Sequence, residues 1–158
     1  MNYIARSTRM GASSMLHKHL FPSSSLNIAK KSKSTLTQVF SDKAIHPIGP
    51  YYSQAIKANN FLFLSAQLPA DESCTLVSGS LTSQTHKMIS NARHVLEAGG
   101  SDLTKVVKVN LWVRDFQMLE EVNKVYMSYF PQRPARTVHQ EAFLLKGADV
   151  MMDLVAVV

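Results

Sequence analysis

At 158 residues and 46% apolar composition, the chain has the size and make-up of one globular domain with a real core. No apolar run is long enough to span a bilayer, and a single cysteine, Cys74, excludes an intrachain disulfide. The formal charge of +6 is concentrated at one end. Of 17 Lys and Arg, six (Arg6, Arg9, Lys18, Lys30, Lys31, Lys33) precede the first acid, Asp42, leaving eleven bases against 11 acids and no basic excess of the kind nucleic-acid binding needs.

Residues 1–38 are basic, serine-rich and free of acids, with Leu16, Leu20 and Phe21 as a short apolar face beside Lys18. This is the composition of a mitochondrial transit peptide, the plainer alternative being a disordered basic leader. The folded domain is therefore placed at 39–158, and the mitochondrial matrix is the expected location. Ala44 to Pro50, with Pro47, Gly49 and Pro50, reads as a rigid loop. Asn59-Asn60 is a turn signal, and Phe61 to Ser65 reads as a buried strand. A loop follows from about Pro69 to Gly79. In it Cys74 is an incidental thiol with no base beside it.

From Ser80 to Ala98 the apolar period becomes helical: Met88, Ile89, Ala92, Val95 and Leu96 share a face, and Gly99-Gly100 is the stop. His86 and His94 fall off that stripe and are expected to be solvated. They are too far apart in sequence to form an adjacent-turn metal pair, so no metal site is expected. Lys105 to Val113 alternates, with Val107, Val109, Leu111 and Val113 assigned to the core face. Asp115 is the expected cap of a second helix buried through Leu119, Val122, Tyr126 and Tyr129, and Pro131 ends it. Arg136 to Phe143 and Val150 to Val157 read as strands joined by a turn at Lys146-Gly147. Two amphipathic helices on one face of a mixed sheet make an α+β layer fold.

Within the run Pro134-Ala135-Arg136-Thr137-Val138, the proline is expected to hold the residue before it extended, and the β-branched pair begins a strand. A guanidinium at that point either binds a carboxylate or phosphate bidentately or is salt-bridged at a sheet edge.

Tyr52-Ser53-Gln54-Ala55, Ser65-Ala66-Gln67-Leu68-Pro69, Asn123-Lys124-Val125-Tyr126 and Pro134-Ala135-Arg136 fall in the order and spacing of the RidA/YjgF family, and the chain resembles that family from about Thr35 to Val158. The leader suggests a fungal or other eukaryotic mitochondrial member. The resemblance implies a chorismate-mutase-like α+β protomer and a homotrimer with ligand clefts between subunits. It implies hydrolysis of reactive imines and enamines, such as 2-iminobutanoate and 2-iminopropanoate, to 2-keto acids and ammonia. These compounds leak from pyridoxal-phosphate enzymes, including threonine dehydratase. No cofactor and no metal are implied, and the partner is a small carboxylate substrate, with neither direct nucleic-acid binding nor a membrane. Fungal mitochondrial relatives are associated with isoleucine synthesis and genome maintenance.

By the same resemblance Arg136 anchors the substrate carboxylate, and Tyr52 and Ser65 line the pocket as the other catalytic residues. Three positions depart from the pattern. Ala66 stands where the family has glycine, and Val138 where some members have cysteine. Met151 stands fifteen residues after Arg136, where active members carry a water-activating glutamate. Asp153 lies two residues on, on the same strand face. The enzyme reading therefore stands beside a second, a non-catalytic trimer that senses small 2-keto or amino acids, and a third, a nucleic-acid or chaperone-like partner.

Overall fold

The computed structural model describes residues 35–158, and the mitochondrial-leader reading of the N-terminal stretch lies, up to residue 34, outside them. Six strands, β1 (Leu36–Val39), β2 (Ala55–Ala58), β3 (Phe61–Gln67), β4 (Val106–Val113), β5 (Ala135–Gln140) and β6 (Val150–Val157), form one sheet in the order β1-β2-β3-β6-β4-β5. All neighbours are antiparallel except β4 and β5. The sheet is thus mixed, as the α+β reading required. Strand β1 takes in Leu36, Thr37 and Gln38, so regular structure begins upstream of residue 39.

Two helices, α1 (Leu81–Ala98) and α2 (Leu119–Tyr129), cover one face of the sheet. Helix α1 starts where the Ser80 hydroxyl accepts the Ser83 N–H at 3.2 Å. Its stripe of Met88, Ile89, Ala92, Val95 and Leu96 is fully buried. Each large side chain removed from water in this way contributes roughly 1.5–3 kcal/mol. The helix ends at Gly99, where a side chain has no room: an added Cβ would lie 2.4 Å from Leu62 Cδ2 of β3. Gly100, at φ 83, then turns the chain in the left-handed region.

Several local expectations are corrected. Val106, not Val107, enters the core: Val106 pairs with Ala156 and Lys108 with Val155, so Val107 is the extra residue of a β-bulge and is 42% exposed. Strand β5 stops at Gln140 rather than Phe143, because its only neighbour, β4, ends opposite it at Val113. Asp115 caps a 3-10 turn over Phe116–Met118, accepting the Gln117 N–H at 2.9 Å, and α2 begins only after that turn. Val125 joins Val122 and Tyr126 as a buried residue of α2. Arg133, before Pro134, is not extended but sits at φ 53, with its N–H on the Phe130 carbonyl at 3.1 Å. The chain must reverse there from α2 into β5 within five residues, and an extended residue would carry it past the sheet.

On the face away from the helices, loops carrying Ile45, Leu68, Ala70, Leu144 and Ala148 form a smaller apolar cluster with Trp112 and Met151. Gln54 holds this region together. Its buried amide donates to the Ser41 and Ile45 carbonyls and accepts the Ser41 N–H.

Candidate functional site

Arg136 pairs with Val109 in the parallel ladder, so its side chain leaves the edge strand on the helix-covered face. There it meets Asn123 and Tyr126, three residues apart and therefore on the same side of α2. Arg136 Nη1 donates to Asn123 Oδ1 at 2.9 Å. The guanidinium carbon lies 4.6 Å from the centre of the Tyr126 ring, a cation–π contact. The Tyr126 ring stacks in turn on buried Phe130. Burial pushes the Tyr126 phenol above its usual pKa, and the Arg136 charge acts in the opposite direction.

Every Asp and Glu of the chain lies between Asp42 and Asp153. The ion pairs among the described residues are Lys87–Glu72, Arg93–Glu97, Arg114–Asp149 and Lys124–Glu120, and none of them involves Arg136. Arg136 therefore stands at a sheet edge without a salt bridge. It opens on a cleft of about 340 Å³ lined by Asn123, Tyr126, Met127, Phe130, Arg133, Pro134 and Arg136 itself, the size of a small-molecule pocket. A guanidinium fixed on two sides, with N–H groups to spare, a second cation in Arg133 and otherwise largely apolar walls, suits a small carboxylate.

Tyr52 and Ser65 meet each other but not Arg136. They line a separate cleft of about 260 Å³ with Ala66 and Leu145. The Tyr52 oxygen accepts the Ile48 N–H at 2.8 Å, leaving its own proton to donate. Ser65 Oγ donates to the Ser53 carbonyl at 2.7 Å, and the Ser65 N–H to the Gln54 carbonyl at 2.9 Å. Ala66 is half-buried and has no positive φ, so its methyl causes no backbone strain.

Ser65 lies on β3 on the face opposite the helices, since Leu62 and Leu64 point to the core. Arg136 lies on β5, with β6 and β4 between. Three strand spacings separate them by about 14 Å in the plane of the sheet. One small molecule cannot touch Arg136 and Ser65 of the same chain.

Met151 pairs with Trp112 and packs into the small apolar cluster. It too lies on the face away from Arg136, so the two are not neighbours within one chain. The buried Val109 and Leu111 of β4 intervene. Asp153 shares the face of Met151 and accepts a hydrogen bond from Asn110 Nδ2 at 2.8 Å.

The two helix histidines are not simply solvated. His86 Nδ1 is 2.9 Å from the Tyr129 hydroxyl and His94 Nδ1 is 2.9 Å from the Lys43 carbonyl. Cys74 Sγ donates to the His46 carbonyl at 3.1 Å. The sequence placed Asn123 and Tyr126 in a family motif but gave neither a role beside Arg136. The available signal was their three-residue spacing on the helix leading into the arginine strand.

Residues 41–158 match the family described as Endoribonuclease L-PSP. Protein HMF1 of Saccharomyces cerevisiae is 40% identical, over 78% of this chain and 95% of its own. The same organism's MMF1, named as mitochondrial, is 34% identical over 82% of this chain and 90% of its own. The human 2-iminobutanoate/2-iminopropanoate deaminase is 36% identical over 73% of this chain and 85% of its own. The crystal structure of yeast Mmf1 superposes with a TM-score of 0.75 at 35% identity, covering 78% of this chain and 98% of that one.

Proposed function

Because the chain belongs to the RidA/YjgF family, matched as Endoribonuclease L-PSP over residues 41–158, we propose that it is a deaminase of reactive 2-imino and 2-enamino acids. Its substrates on this reading include 2-iminobutanoate and 2-iminopropanoate. The observation that carries it is the Arg136 guanidinium, facing a cleft with no acid partner among the described residues.

In this reading the substrate carboxylate takes the unused Arg136 N–H groups. Water adds to the carbon of the protonated imine: a C–O bond forms as the C=N bond becomes C–N, and a proton passes from the added oxygen to nitrogen. The C–N bond then breaks as an oxygen lone pair closes C=O, nitrogen leaves as ammonia, which takes up the remaining hydroxyl proton, and a 2-keto acid remains. The imine is already electrophilic, so the protein's main contribution is orientation. Tyr52 Oη and Ser65 Oγ hold substrate or water.

Since these groups and Arg136 are about 14 Å apart across the sheet, the working site joins Arg136 of one subunit to Tyr52 and Ser65 of the next. The homotrimer implied by the family supplies that arrangement. No cofactor takes part in this scheme. The acid-free leader and the similarity to a mitochondrial relative support a matrix location, where the activity would serve branched-chain amino acid synthesis and genome maintenance. The even charge balance from Asp42 onward supports a role without direct nucleic-acid binding.

The test is a coupled assay: purified protein added to threonine dehydratase should accelerate 2-ketobutyrate release. No acceleration at any protein concentration sinks the enzyme reading. One observation favours a second reading, a trimer that binds 2-keto or amino acids without turnover. Met151, at the position where the resemblance puts the family's glutamate, carries a thioether that cannot take a proton from water, and it packs among apolar side chains.

A further inference from the structure

We infer that Asn123 is a positioning residue that aims the Arg136 guanidinium while leaving its charge unspent, so that the site selects anionic ligands. The inference rests on the reading of Arg136 as carboxylate anchor and assigns a role to a residue outside that reading. The amide oxygen of Asn123 accepts from Arg136 Nη1 at 2.9 Å, and the Tyr126 ring lies against the guanidinium face at 4.6 Å. Together they fix one edge and one face of the fork. Both partners are neutral.

An aspartate at position 123 has nearly the same shape and also offers an oxygen to Nη1. It would, however, put a full negative charge against the cation and compete with any incoming carboxylate. With no acid paired to Arg136 among the described residues, the neutral amide keeps the cleft positive. Glu120 and Glu121 on the same helix are engaged elsewhere, with Lys124 and with Thr82. A residue that acts through geometry alone and one that acts by sparing the charge make opposite predictions. Geometry alone makes Asn123→Ala the worse change, because the acceptor is lost. Charge sparing makes Asn123→Asp the worse change, although the acceptor is kept.

The experiment measures 2-ketobutyrate affinity by calorimetry for the full chain and for Asn123→Asp, Asn123→Ala and Arg136→Ala. Circular dichroism establishes folding. Asn123→Asp is expected to weaken binding by at least about tenfold, the effect of one opposing charge at contact in a partly screened site. Asn123→Ala is expected to weaken it less. Equal affinities for wild type and Asn123→Asp, or a larger loss for Asn123→Ala, overturn the inference. So does failure of Asn123→Asp to fold, since an ion pair with Arg136 should hold α2 to β5 at least as well as the amide does. Undiminished binding by Arg136→Ala overturns the anchor reading itself, and the two failures are thereby distinguished.

Discussion

A half-buried guanidinium held by an amide oxygen and a phenol ring has made only part of the hydrogen bonds it can make. Arg136→Ala is therefore expected to abolish detectable binding of small 2-keto acids. Loss of one partner of a desolvated charge pair costs about 2–5 kcal/mol, which takes a millimolar ligand out of calorimetric range. The unfolding temperature should fall only modestly, because the change removes the Asn123 hydrogen bond and the Tyr126 contact but breaks no ion pair. Unchanged affinity would make Arg136 a packing residue for Tyr126 and nothing more. Met151 makes a different case. If position 151 is where the family resemblance puts a water-activating glutamate, Met151→Glu should raise turnover of 2-iminobutanoate, by up to about 10²–10⁴. The new carboxyl would face Trp112 and the apolar cluster of Leu144 and Ala148, and burial raises a carboxyl pKa. The gain should accordingly grow as pH rises through that elevated pKa. The stability effect has the opposite sign. A folded-state pKa above the unfolded one means that stability is lost as pH rises, so the variant's unfolding temperature should drop relative to wild type between pH 4 and pH 8. Rate and stability profiles measured in parallel check both signs, and a wild type already as fast as the variant removes the general-base argument.

Among the elements, the end of α1 at Gly99 is packed closely against Leu62 of β3. Gly99→Ala drives a methyl into Leu62, whose side chain is fully buried and has no free direction in which to move. A destabilisation of about 1–3 kcal/mol is expected. Combining it with Leu62→Ala should give less than the sum of the two single losses, because the cavity takes the methyl. Strict additivity in urea unfolding would show that the backbone shifts instead. This glycine was legible in the sequence as a helix stop but not as a contact, since nothing local names Leu62 as its neighbour. The same limit separates what could be read from what could not. The stripes of α1 and α2 are periodic, so both helices follow from spacing alone. The bulge at Val107 leaves the string of valines unbroken, and only pairing with β6 reveals which valine enters the core. The site suffered most. Arg136, Tyr52 and Ser65 were proposed individually from their motifs. Their separation follows from β6 inserting between β3 and β4, a non-sequential order that no local pattern encodes.

At the scale of the whole molecule, the proposed site residues Arg136, Tyr52 and Ser65 are divided between two faces of one sheet, so the proposed site requires a second copy to bring them together. Apolar side chains on the face away from the helices, Phe61 and Phe63 among them, are 44% and 47% exposed in the single chain, which suits that face to subunit contact. The domain without its leader should sediment at three times the chain mass, and a monomer mass would dissolve the shared site along with the trimer. Composition of the site can be tested separately from assembly. Arg136→Ala and Ser65→Ala should each be inactive alone, the second provided that Ser65 contributes to turnover. In a cyclic trimer each site takes Arg136 from one subunit and Ser65 from the next. When the two variants are unfolded together and refolded in equal amounts, every mixed trimer then contains one site with both native residues. Random assembly makes three-quarters of the trimers mixed, so roughly a quarter of wild-type activity should return. If Arg136 and Ser65 acted within one chain, no mixture would contain a complete site and no activity would return. The recovered fraction thus discriminates between the two arrangements by its sign alone, and its size tests the threefold count.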